Sequence, residues 1–274
     1  MKEGVMKVVF LLAACMSILA VALICIFLFA NGVPAIHKIG ITEFLFGQTW
    51  KPSNNIYGIF PMIIGSIYVT AGAIIIGVPM GILCAIFLAR FCPDKLYKIV
   101  KPAVSLLAGI PSIVYGLFGM LFFVTTLRWG YSMLAGAFTL AIMVLPVIMR
   151  TTEEALLAVP DTYREASFGL GAGKLRTIFV VILPSAVPGI FSGVILSIGR
   201  IVGETAALMY TAGTVAELPD SVMSSTRTLS VHMYSLASEG LYVNQAYATA
   251  VVLLVIVLVI NWLSGRIARK IKKG

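Results

Sequence analysis

The sequence predicts an all-α protein, a polytopic membrane helix bundle of six transmembrane helices. Sixty per cent of its 274 residues are hydrophobic and the mean hydropathy is +1.03, well outside the soluble globular range. Six apolar blocks, at about 8–30, 59–91, 101–127, 131–149, 186–212 and 244–264, are each long enough to cross a hydrocarbon core of about 30 Å. The basic residues divide unevenly between the connecting segments, as membrane topology signals do. With the N-terminus inside, fifteen are cytoplasmic: Lys2, Lys7, Arg90, Lys95, Lys98, Lys101, Arg150, Arg164, Lys174, Arg176, Arg266, Arg269, Lys270, Lys272 and Lys273. Only Lys38, Lys51, Arg128 and Arg227 fall outside, and Arg200 lies within a span. That imbalance accounts for the net charge of +9 without a nucleic-acid partner. The chain divides into a first helix with its external loop (1–58) and a five-helix transmembrane region (59–274).

The first apolar stretch is too long for a cleaved signal peptide and no A-x-A site follows, so a retained helix is expected. Asn31-Gly32-Val33-Pro34 then breaks into an external loop, where Trp50 and Tyr57 suit the aromatic belt of the outer interface. His37 stands alone there as a solvated loop residue. In the second span Gly65, Gly72, Gly77 and Gly81 recur, which lets helix backbones approach closely, and Pro79 predicts a kink. The third repeats the theme at Gly109-Ile110-Pro111-Ser112, Gly116 and Gly119, and Pro146 lies near the end of the fourth. Such breaks need neighbouring helices to satisfy freed carbonyls. Cys15, Cys25, Cys84 and Cys92 form no CxxC pair; they read as buried free thiols, with neither a disulfide frame nor a metal site.

Between the fourth and fifth spans, Arg150 to Pro188 is densely charged. A charge left in hydrocarbon costs at least a few kcal/mol, so this segment lies in water. Pro160 and Asp161 read as a helix start and Gly171 and Gly173 as its stop. Tyr163, Ala166 and Leu170 repeat at i, i+3 and i+7, one apolar stripe for another protein to receive. Gly169-Leu170-Gly171-Ala172-Gly173-Lys174 is no phosphate loop: Phe168 replaces the first glycine, Leu175 follows the lysine and no strand precedes.

The fifth span carries an ionisable pair, Arg200 and Glu204, four residues apart and so expected on one helix face, with Gly199 and Gly203 at GxxxG spacing. Two readings stand. One is an internal salt bridge; in the other Arg200 meets a crossing anion, since a guanidinium binds tetrahedral oxyanions in a bidentate way, and Glu204 holds it in place. An external segment follows, in which Leu229, Met233 and Leu236 predict a short interfacial helix bearing His232. A basic tail anchors the last helix to the anionic inner leaflet. No Ser/His, Asp/Asp or His-rich constellation within the spans suggests an intramembrane enzyme.

The charged segment resembles the coupling loop of ABC importer permeases, whose pattern is EAA, three residues, Gly, nine residues, I-x-L-P. Here it reads Glu165-Ala166-Ser167, Gly171 and Val181-Ile182-Leu183-Pro184, with serine for alanine and valine for isoleucine. The stretches Arg150–Leu156, Pro160–Ala166, Gly199–Leu208, Gly58–Ser66 and Leu107–Gly116 are similar to the phosphate-specific permeases of that class. The resemblance implies the type I importer fold and a multi-pass protein of the bacterial inner membrane with both termini cytoplasmic. It implies a second permease subunit, the same or a homologue, and an extracytoplasmic phosphate-binding protein. It also implies a dimer of ATP-binding subunits, which hold the ATP and Mg²⁺ that this chain does not. Tyr163, Glu165, Ala166 and Gly171 would be the ATPase coupling positions, and Arg200 and Glu204 the substrate pathway. A permease for sulfate or molybdate is the alternative within the class; an ion-coupled secondary transporter, outside it, would have no use for a docking helix.

Overall fold

The computed structural model describes residues 2–271, with side chains for 5–268. The basic tail side chains Arg269, Lys270, Lys272 and Lys273 and the expected cytoplasmic Lys2 therefore lie outside the described side chains.

Helix α1 runs Lys2–Ile39. Pro34 does not break it as the sequence suggests; the helix continues one further turn, and the Asn31 side chain bonds back to the Phe27 carbonyl at 2.7 Å. A short helix α2 (Ile41–Phe46) and a two-residue hairpin, β1 (Trp50–Lys51) against β2 (Ile56–Tyr57), fill the loop. Helix α3 (Phe60–Arg90) starts with proline in its first turn, where the missing N–H has no cost.

The third expected span is not one helix. Helix α4 (Asp94–Ala108) and helix α5 (Ser112–Gly119), the latter continued by a π-helical stretch Met120–Thr126, meet at 97°. Pro111 sets the corner, because a proline keeps its predecessor out of helical geometry. Helix α4 is amphipathic, with Lys95, Lys98 and Lys101 among its apolar residues, as suits a helix lying along an interface. Among the described residues, five helices are thus long and apolar enough to cross a membrane, or six if the bent pair is counted as one span.

Helix α6 (Met133–Leu157) is capped by the Ser132 hydroxyl, which accepts from the Ala135 amide at 3.2 Å. It runs eight residues past the apolar block with Thr152, Glu153 and Leu156 buried on its inner side, while Arg150 and Glu154 pair along its outer surface at 2.9 Å. Helix α7 (Asp161–Gly169) follows, then α8 (Lys174–Arg176), a π-helical stretch Thr177–Ile182 and α9 (Leu183–Val202), which wind as one rod. Helix α10 (Ala206–Met209) is a single turn, α11 (Leu229–Glu239) ends on Gly240 in the left-handed region at φ 70°, and α12 (Val243–Ile271) closes the chain.

Lipid is as apolar as leucine, so helix pairing inside a membrane rests on close packing and hydrogen bonds. The expected glycines supply it. A Cβ on Gly72 would stand 2.9 Å from that of Ala137, on Gly81 2.6 Å from Ile148, and on Gly116 2.7 Å from the Ala207 Cα. Helix α3 thereby lies along α6, and α5 against α10. Gly189 approaches Ala155 in the same manner, joining α9 to α6. Helix α1 packs at its far end, with Gly32 on Tyr247 and Val251 of α12. The cysteines line no core: Cys15 and Cys84 face outward and Cys25 and Cys92 are half-buried, all four free.

Helix α11 is likewise not laid on an interface. Leu229, Val231 and Leu236 are buried, and its first amide donates to the Ser66 hydroxyl of α3 at 2.9 Å. It plugs the end of the bundle that holds the hairpin. The opposite end gathers Arg90, α4, α7 and the start of α9, and both chain termini run toward it.

Candidate functional site

At that opposite end α7 is a raised element fixed from beneath. Its Ser167 hydroxyl, buried, meets the buried Thr177 hydroxyl at 2.9 Å, and the Ala172 amide donates to the Ser167 carbonyl at 3.1 Å. Gly171 turns the chain at φ +81°, a conformation costly for any side chain with a Cβ. Below, Ile86, Leu156, Ile178 and Ile182 form an apolar clamp. Tyr163, Glu165, Ala166, Phe168 and Leu170 are all turned outward, and Leu170 is 90% exposed. The aromatic and leucine side chains of this pinned helix thus form an uncovered apolar surface. The four expected coupling residues, Tyr163, Glu165, Ala166 and Gly171, therefore occupy one small surface.

Beside it lies a polar joint that sequence reading missed. Glu153 on the extension of α6 accepts from the Tyr97 hydroxyl at 2.5 Å and pairs with Lys101 at 3.2 Å, and its side chain is only 7% exposed. Lys101 also donates to the Tyr97 oxygen. Both partners belong to α4, so α4 is fastened to the stalk that leads into α7. The Tyr97 and Glu153 bond spans 56 residues and leaves no periodic trace.

Arg200 stands in the last turn of α9, half-buried, on an open cleft of about 600 Å³. Val147 of α6, Ser192, Ile195, Leu196 and Gly199 of α9, and Asn261 of α12 complete its lining. Among the described residues Arg200 forms no hydrogen bond or ion pair. Its charge is close enough to act on Tyr115 of α5, whose hydroxyl donates to the Leu107 carbonyl at the α4–α5 corner at 2.7 Å. Gly199 does not pack a helix of this chain: a Cβ there meets nothing within 4 Å.

The structure does not pair Arg200 with Glu204. Helix α9 stops at Val202, and Glu204 lies in the turn beyond Gly203. Its carboxylate accepts from the Ala207 amide at 3.1 Å, capping α10, and its carbonyl accepts from the Ser230 hydroxyl at 2.6 Å. Glu204 is buried and ties α9 to α10 and α11, while Arg200 faces the cleft. The shared-face expectation fails because the helix ends between them.

His232 is fully buried in the plug, against the Trp50 ring at 4.2 Å between centroids, edge to face. Its Nδ1 stands 3.3 Å from Arg227 Nη1. A guanidinium only donates, so Nδ1 accepts and the ring proton sits on Nε2. Burial first, and then the Arg227 charge, push His232 down to about 3. It is a neutral structural histidine rather than an interface residue, and half-buried Trp50 packs against it. His37 is exposed on the rim of an apolar groove between α1, α2, α3 and α12.

Comparison with known proteins places these features. Residues 77–273 match the family described as binding-protein-dependent transport system inner membrane component. The chain is similar to the phosphate transport system permease protein PstC of Mesorhizobium japonicum, 33% identical over 90% of this chain and 82% of that one. It is also similar to phosphate transport system permease protein PstA 2 of Mycobacterium bovis, 35% identical over 76% and 73%. In fold it is like the crystal structure of a bacterial ABC transporter involved in import of the acidic polysaccharide alginate, with TM-score 0.65, 16% identity and coverage of 94% and 95%. The chain belongs to the family of binding-protein-dependent transport system inner membrane components, the permease subunits of ABC importers, and is a transport subunit rather than an enzyme.

Proposed function

We propose that this chain is the membrane-spanning subunit of an ATP-driven importer of inorganic phosphate, working with a second permease, a pair of ATPase subunits and an extracytoplasmic binding protein. The observation that carries the reading is the guanidinium of Arg200, without an ion-pair partner among the described residues, on an open cleft. A charge in such a place persists where it faces a partner, a water-filled path or a substrate. The bare face of α9 around Gly199 supplies the seam for a second permease, so that two such subunits set two guanidiniums about one path. Phosphate carries between one and two negative charges near neutral pH, which that pair matches.

Force enters at α7. Closure of the ATPase pair moves α7, and α7 is pinned through Ser167 and Thr177 to the rod that ends at Arg200. The two states must differ in their contacts with the anion, since equal binding to both shifts nothing. Glu204 keeps the end of that rod tied to the external plug. The end bearing α7 and both termini is then cytoplasmic, in accord with its basic residues.

The test is uptake in proteoliposomes holding the complete importer with its binding protein. Wild type accumulates phosphate only with ATP, and excess sulfate or molybdate fails to compete. Arg200→Gln loses at least tenfold of the uptake while the ATPase still co-purifies. Uptake by the permease without any ATPase, or normal uptake by Arg200→Gln, refutes the reading.

A further inference from the structure

At the end that carries α7, a second basic cavity lies apart from the Arg200 cleft. It measures about 340 Å³ and is walled by Arg90 at the end of α3, Arg164 and Glu165 of α7, and Lys174 of α8, with Thr177 beside them and Ile178 and Ile182 as its floor. One water occupies about 30 Å³, so the cavity has room for a tetrahedral anion with its hydration.

Among the described residues none of the three cations has a buried carboxylate partner. Arg90 Nη2 donates to the neutral Leu156 carbonyl at 2.6 Å, and its Nε is buried with no hydrogen-bond partner. Arg164 reaches Asp161 only at 3.4 Å, between two well-exposed side chains, where an ion pair contributes little. Lys174 lies over the Phe91 ring, 4.6 Å from its centroid. Arg164 is near enough to Arg90 for the two positive charges to repel, and Asp161 on the same helix offsets a smaller part of that. A buried donor left without an acceptor is unfavourable, and like charges gathered on one cavity add to that. An oxyanion seated there relieves the repulsion: it accepts from the accessible heads of Arg164 and Lys174, and it screens Arg90 from Arg164. Glu165 forms no ion pair among the described residues; as the single carboxylate on the lining it disfavours highly charged ligands such as nucleoside triphosphates.

We propose that this cavity is a binding site for a singly or doubly charged phosphate group at the cytoplasmic boundary, beneath the docking helix. Two sources share that chemistry, free inorganic phosphate and the headgroup of an anionic phospholipid. The site does not depend on which anion crosses at Arg200. Its ligand touches α3, α7 and the foot of the α9 rod at once, so occupancy stiffens the element through which force enters.

The experiment uses the permease–ATPase complex in neutral detergent without the extracytoplasmic binding protein. One arm measures equilibrium binding of radiolabelled inorganic phosphate; the other measures retention of phosphatidylglycerol by native mass spectrometry. The variants are Arg164→Gln/Lys174→Gln, whose side chains are at the surface and leave the core intact, and Arg90→Lys, which keeps the charge but removes Nε. The double variant is expected to lower affinity at least tenfold in one arm, which identifies the source, and Arg90→Lys to give a smaller loss in that arm. Arg200→Gln is expected to leave this binding in place, which separates the site from the transport path. Wild-type binding of both probes by the double variant overturns the proposal. So does loss of the ATPase with unchanged binding of both probes, which assigns these cations to a subunit contact.

Discussion

Replacing Tyr97 with Phe tests the joint between α4 and the stalk of α6. Glu153 is 7% exposed and has two partners, the Tyr97 hydroxyl at 2.5 Å and Lys101 at 3.2 Å. A hydrogen bond to a charged group contributes about 1.5–3 kcal/mol. The Lys101 side chain is 51% exposed, so that ion pair is screened and contributes about 0–1 kcal/mol. Tyr97→Phe therefore destabilises the chain by about 1.5–3 kcal/mol, and Lys101→Ala by less than half as much. Glu153→Gln removes the charge both partners answer, so adding Tyr97→Phe to it costs little more. A double-mutant cycle on unfolding by sodium dodecyl sulfate in mixed micelles, followed by helical circular dichroism, reads the coupling; about 1–2 kcal/mol is expected. Losses that add within about 0.5 kcal/mol, as for independent sites, would show that Tyr97 and Glu153 merely lie side by side.

Other outcomes are open to measurement. Tyr163→Ala/Leu170→Ala removes two outward side chains of α7 and should release the ATPase in a pull-down while leaving the unfolding curve unchanged; full retention of the ATPase contradicts the docking face. Gly116→Ala drives a Cβ to 2.7 Å from the Ala207 backbone, an overpacking worth about 1–3 kcal/mol, whereas Gly199→Ala meets nothing and should be neutral in the isolated chain. Equal effects would mean α5 and α10 are not in close contact. His232 stays neutral in the fold down to about 3, while the unfolded chain gains the proton below about 6.5. Between those values the unfolded state binds more protons, so stability is complete above about 6.5 and falls on acidification by up to about 1.4 kcal/mol per pH unit. His232→Gln should flatten that slope by one proton; an unchanged slope assigns it to other groups.

The fold was legible where the signal is local. Apolar blocks, glycine spacings and the punctuation around α7 are each written within thirty residues, and they placed α3, α6, α7 and α12 to within a turn or so at most boundaries. Hydropathy averaged across Gly109-Ile110-Pro111 hid the corner between α4 and α5, because both arms are apolar enough to pass as one span. The pairing of Arg200 with Glu204 assumed an unbroken helix. Gly203 and the non-helical backbone of Thr205 end it, and capping of α10 then claims the carboxylate. The Glu153 joint and the Arg90 cavity were invisible, since their members sit on different helices and meet only by tertiary packing.

The wide turns at Thr177–Ile182 have a geometric consequence for the cation downstream. A π-helical stretch accommodates an extra residue in its rungs. Wound as ordinary α-helix, the same residues would swing all that follows by about 100° around the axis. Outward-facing Leu196 would be carried to another side of the rod, and Arg200 would leave the cleft. The six residues thus act as an angular shim, setting the azimuth of a charge some twenty positions further on, with the Ser167–Thr177 contact gripping the shim at its lower edge.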